Sequence, residues 1–195
     1  AAAAVIGCAC IACAGFARPV PDGPDFGAMV TANRERIEGK VVLFSGLRDG
    51  DFIFAVRERI PRPKAVVIRG SKLFYTCTAG PDLDLVPYVS SRGEIAEVMR
   101  RFAFESVFVE RDNRVGTTQD DWLREYLSES GDYARVGSFV VESARNRCAS
   151  DVLVDVYSLT RPWQRQVDYF DIPVPRTRRS IRVDLRSGTV GELPS

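Results

Sequence analysis

The run from Val41 to Arg69, VVLFSGLRDGDFIFAVRERIPRPKAVVIR, constrains this fold most. A β-branched apolar strand, Val41 to Phe44, ends at Ser45-Gly46, and the polar turn Arg48-Asp49-Gly50-Asp51 follows. Phe52, Ile53, Val56 and Ile60 recur at helical spacing until Pro61 and Pro63 stop the helix. A second apolar run, Ala65 to Ile68, resumes at once. The pattern is β-α-β, and strands joined this way run parallel and need helices over the sheet. The expected fold class is therefore α/β: a three-layer, Rossmann-like, mainly parallel sheet with flanking helices.

Later segments extend this reading. Ser90 or Ser91 caps a helix, RGEIAEVMRRFAF, with an apolar stripe of Ile95, Val98, Met99 and Phe102. Ser106 to Glu110 is a third strand. Thr117 or Thr118 before Asp120-Asp121 marks the start of the helix DWLREYLSES. Asp132 to Val141 and Val152 to Leu159 are a fourth and a fifth strand, and Leu73 to Tyr75 reads as a continuation of the second. Gly80 to Val89 reads as irregular. The tail alternates over Asp168 to Val174 and Ser180 to Leu185, a carboxy-terminal β-hairpin whose tip, Pro175 to Arg179, is basic. Such a tip is more often a solvated turn than a lipid site.

Ahead of the sheet, Ala1 to Phe16 is free of charge. As a helix it would be about 24 Å long, short of a bilayer crossing. A signal h-region and a lipoprotein box at Val5-Ile6-Gly7-Cys8 both lack a basic n-region here. The preferred reading is the end of a transmembrane helix in a longer protein, which also suits an opening at Ala1. Three prolines and two glycines within Arg18 to Gly27 break any helix, and Met29 to Glu38 can resume as a short one. The expected organisation is 1–16 transmembrane end, 17–39 linker and short helix, 40–160 α/β domain and 161–195 hairpin extension.

Composition narrows the chemistry. There is no histidine, which removes imidazole bases, histidine-containing triads and histidine metal sites. The 27 basic residues nearly balance the 26 acidic ones over 195 positions, giving little support for nucleic-acid binding. Cys8, Cys10 and Cys13 have thiolate-site spacing but lie in an alanine-rich apolar run without a fourth ligand. Small apolar residues on a helix are the preferred reading, so no metal and no cofactor are expected. Cys77 and Cys148 are compatible with a disulfide, though sequence does not place them in contact.

Candidate site residues cluster in the loop Ser45 to Asp51, beyond the carboxyl end of a strand, where open α/β sheets bind ligands. The loop has neither the phosphate-loop nor the dinucleotide glycine pattern. Asp49 and Asp51 would repel phosphate, and helix capping by one of them is the preferred reading. Arg69 and Lys72, at the end of the next strand, are placed to pair with those carboxylates. Asp49, Asp51, Arg69 and Lys72 are the binding candidates. No residue is assigned to catalysis.

SGLRDGDFIFAVRE, VVIRGSKLFY and EIAEVMRRFAFESVFVE resemble the carboxy-terminal extramembrane region of bacterial polytopic glycosyltransferases. The type is family 39, with the protein mannosyltransferases and lipid A aminoarabinose transferases. Arg69-Gly70-Ser71-Lys72 fits the Arg-x-x-Lys segment those proteins place after the second strand, and Ser106 to Glu110 fits their strand ending in a carboxylate. The resemblance spans Val41 to Leu159. It implies a periplasmic, non-catalytic domain attached to a transferase that uses a polyprenyl-phosphate-linked sugar, there to cap or support the membrane-embedded part or to help bind the acceptor. The transferase's acidic catalytic motif lies in an earlier loop, so no catalytic residue carries over. The alternative is a membrane-anchored or lipoprotein α/β domain that captures a small anionic ligand.

Overall fold

The computed structural model describes residues 25–60, 65–77, 85–111, 117–142, 151–173 and 180–193. Strand β1 (Lys40–Ser45) pairs in parallel with β2 (Ala65–Arg69) on one side and β5 (Ser106–Glu110) on the other. β7 (Val152–Leu159) runs antiparallel to β5, and β6 (Tyr133–Val141) antiparallel to β7. The five-stranded order is β2-β1-β5-β7-β6, parallel over its first three strands. Strands β1 and β5 read as unbroken apolar runs because both of their faces are covered.

Helices take the two faces. Val41, Leu43, Val107 and Val109 point into a core with Ile95 and Met99 of α5 (Arg92–Phe102) and Leu123 of α6 (Thr118–Glu129). Val42, Phe44 and Phe108 point the other way, onto Phe52 and Val56 of α3 (Asp49–Arg59). Two short helices, α1 (Gly27–Ala32) and α2 (Arg34–Ile37), complete that layer through Met29, Val30 and Ile37. Asn33 separates them, and its side-chain amide donates to the Met29 carbonyl. Phe26, Phe44, Phe52 and Phe108 form an aromatic cluster with centroids 4.5 to 5.9 Å apart. Truncating a fully buried Phe of this kind costs about 3–5 kcal/mol.

The helix starts follow their caps. The Ser91 hydroxyl accepts from the Glu94 amide, and Thr117 with Asp120 closes a reciprocal capping box on α6. Two segments depart from the expectation. Leu73 to Tyr75 does not extend β2: Gly70–Leu73 is one helical turn (α4), and β3 (Tyr75–Cys77) pairs with β4 (Leu85–Pro87) in a separate two-stranded sheet. Glycine suits the start of that turn, because a Cβ at Gly70 would lie 2.8 Å from the Ser45 hydroxyl. Part of the stretch read as irregular, Leu85–Pro87, is thus a strand. The carboxy-terminal hairpin, β8 (Tyr169–Pro173) with β9 (Ser180–Asp184), gains a third strand, β10 (Val190–Leu193). The Asp184 carboxylate builds the added turn by accepting from the Arg186 and Ser187 amides.

The apolar start, the three clustered cysteines, Cys148 and the basic tip Pro175 to Arg179 lie outside the described residues. Among the described residues, no helix is long and apolar enough to cross a membrane.

Candidate functional site

Strand order reverses between β1 and β5: one crossover leads from β1 through α3 to β2, and the next returns to the far side of β1. Ligand crevices of open α/β sheets lie at such a reversal, outside the carboxyl ends of the strands. Here that position is held by Ser45, Gly46, Arg69 and Glu110 with the first turns of α3 and α6.

Glu110 ends β5 with its carboxylate turned back over the loop after β1. It accepts from the Leu47 amide at 3.0 Å and the Arg48 amide at 2.7 Å, so both oxygens are engaged. Gly46 allows this close approach, since a Cβ there would lie 2.4 Å from the Glu110 carboxyl carbon. Burial pushes the Glu110 pKa up; the Arg48 and Leu47 amides oppose that shift without cancelling it.

A second knot joins α3 to β2. Arg69 donates through Nε at 2.6 Å and Nη2 at 2.7 Å to the two oxygens of Asp49, and the Ser71 hydroxyl adds a third bond at 2.8 Å. The two-pronged geometry is the strong form of guanidinium-carboxylate pairing. A third knot ties β1 to α6, where the Ser45 hydroxyl donates to Asp120 Oδ1 at 2.6 Å. The other Asp120 oxygen accepts from the Thr117 amide and hydroxyl. Asp49, Glu110 and Asp120 are all buried. Asp49 and Asp120 also sit in the first turns of α3 and α6, where the helix dipole favours negative charge.

Of the four sequence candidates, the fold brings Asp49 and Arg69 together. Asp51 lies apart and half-exposed, 4.0 Å from Arg48. Lys72 is half-buried on α4 and forms no ion pair among the described residues. The capping expectation for Asp49 or Asp51 is corrected: Arg48 occupies the cap position without a side-chain bond, and Asp49 is the first helical residue. Its carboxylate is drawn sideways by Arg69 and Ser71, which offer three strong donors in place of one amide.

Glu110, Asp120, Ser45 and Ser71 escaped the candidate list. Glu110 carried a readable signal, as a carboxylate closing an apolar strand at the ligand end of the sheet. Asp120 was masked by its capping role, which it performs with one oxygen while the other serves Ser45. Among the described residues, no three His, Cys, Asp or Glu side chains are grouped to hold a metal ion. The arrangement fixes three crossovers to one another and leaves its carboxylates committed to internal donors. Comparison with family models, curated proteins and solved structures found no match to this chain.

Proposed function

We propose that this chain is the extracytoplasmic carboxy-terminal domain of a membrane glycosyltransferase, a non-catalytic lobe supporting a membrane-embedded part that uses a polyprenyl-phosphate-linked sugar. The fold is read, at finer grain, as Rossmann-like, and Ala1 to Phe16 as the end of a transmembrane helix. The observation that carries the reading is the filled crevice. Where an α/β enzyme would open its site, Asp49, Glu110 and Asp120 are spent on Arg69, Ser71, Ser45 and two loop amides. The family resemblance from Val41 to Leu159 supplies the parentage. Leu47 and Phe54 expose 58% and 71% of their surface on the loop after β1 and on α3, apolar area suited to contact with another domain.

The test uses membranes from cells making the whole transferase with Glu110→Gln and Asp49→Asn. Sugar transfer from the polyprenyl-phosphate donor, divided by the amount of folded protein, is expected to stay at the wild-type value. A fall in turnover per folded molecule would place these carboxylates in the reaction and end the reading. A gene that encodes no further hydrophobic spans would end it too.

A further inference from the structure

A second cleft lies by the other end of the sheet, where β7 finishes beside the start of β5. It is a shallow cleft, open to solvent, of about 370 Å³, lined by Arg100, Asp132, Arg161, Trp163, Gln164 and Gln166. Its walls are set in advance. The Thr160 amide donates to the Asp132 carbonyl, the Gln166 amide to the Arg101 carbonyl, and Arg165 Nε to the Phe102 carbonyl. Trp163 is fixed edge-on to Tyr133, with centroids 5.9 Å apart and an interplanar angle of 85°.

The polar groups of this cleft are oddly matched. Asp132 receives the Tyr126 hydroxyl at 2.9 Å, but Arg100 and Arg161 stand 3.6 and 3.8 Å from it. Those separations exceed a hydrogen bond, so the guanidiniums are held near the carboxylate by charge alone. Arg69, Arg111 and Arg182, by contrast, each make two-pronged bonds to one carboxylate. Among the described residues, the side chains of Arg100, Arg161, Gln164 and Gln166 make no hydrogen bond. Two cations against one anion leave a net positive charge beside an indole wall. The last turn of α5 ends nearby, but a helix terminus carries about half a charge, less than this excess.

We propose that this cleft binds a small oxyanion carried on a ring. The Arg100 and Arg161 guanidiniums take the phosphate or carboxylate, the Gln164 and Gln166 amides reach ring hydroxyls, and the Trp163 indole lies against the ring. Fork-shaped donors suit both oxyanions, and an amphipathic ring face suits indole. The proposal does not depend on the transferase reading.

Calorimetric titration of the full chain at low salt with four probes tests it: glucose 6-phosphate, glucuronate, glucose and inorganic phosphate. At least one of the first two is expected to bind with Kd at or below roughly 1 mM, a modest small-ligand affinity. Whichever binds tighter identifies the anion as phosphate or carboxylate. Glucose and phosphate alone should bind at least tenfold more weakly, and added salt should weaken the complex. Arg100→Gln with Arg161→Gln should abolish binding. Arg161→Gln alone, at a mostly exposed position, should weaken it in a chain that melts like the wild type. Ligand-induced fluorescence change should vanish in Trp163→Phe and persist in Trp122→Phe. Failure of both charged sugars to bind overturns the proposal, as does equal binding of glucose or of phosphate. Undiminished binding in the arginine variants, or a fluorescence change that survives Trp163→Phe, overturns it as well.

Discussion

The two ends of the central sheet use arginines in opposite ways. At the carboxyl end Arg69 meets Asp49 through two bonds of 2.6 and 2.7 Å, and Ser71 takes up more of the same carboxylate. Near the amino end of β5, Arg100 and Arg161 face Asp132 from beyond hydrogen-bonding range. Asp49 and Asp132 are both largely buried, so burial of the anion does not separate the two cases. What separates them is whether the cation is committed. A guanidinium locked on a buried carboxylate stabilises the fold and has little left for a ligand. One held only by charge contributes little to stability and keeps its donors.

The largest effect should follow from breaking the locked pair. Arg69→Leu leaves Asp49 buried with only the Ser71 hydroxyl as a side-chain donor. Removing one partner of a buried pair costs several kcal/mol, and the partial exposure of Arg69 lowers this to about 2–4 kcal/mol, measurable by urea unfolding. Next comes Gly46→Ala, whose methyl group would collide with the Glu110 side chain. Overpacking of this kind costs about 1–3 kcal/mol and should lower the melting temperature.

Proton linkage sharpens the comparison with a smaller effect. The pKa of Glu110 is raised by burial, so the folded protein holds that proton more tightly than the unfolded chain does. Its contribution therefore favours folding at low pH and fades as pH rises from the ordinary Glu value through the raised one. Asp155 runs the other way. Burial alone would raise its pKa, but Arg111, Ser138 and Arg135 together lower it. Its stabilisation is full above the ordinary Asp value and is lost as pH falls through the lowered one. Melting curves across the acid range should show Glu110→Gln removing the first slope and Asp155→Asn the second. Smallest of all, Arg100→Gln with Arg161→Gln should change unfolding free energy by no more than about 0.5 kcal/mol, as expected for exposed charges without hydrogen bonds.

The sequence disclosed local order well. Val41 to Phe44, the spacing of Phe52 and Val56, and Thr117 ahead of Asp120 each signal through neighbours a few residues away. Asp49 and Arg69 were also legible as a pair, because one β-α-β unit brings a helix start and a strand end to the same edge of the sheet. The bonds of Glu110 to Leu47 and Arg48 and of Asp120 to Ser45 were not, because those partners lie 62 to 75 residues away and depend on the register of β1 against β5. The end of β2 was misread since the turn that follows it, Gly70–Leu73, is four residues long, too short to show a helical period. Trp163 passed unread for a similar reason: Thr160 to Val167 has neither helical nor strand spacing, and its order comes from bonds to α5 and Asp132.

The central claim is that the loop after β1 is a structural knot held by Glu110, and native-state amide exchange at Leu47 and Arg48 tests it most directly. Both amides should exchange only as slowly as global unfolding allows, and both should quicken sharply in Glu110→Gln. Exchange at the rate of an open surface loop in the wild-type chain would contradict the account.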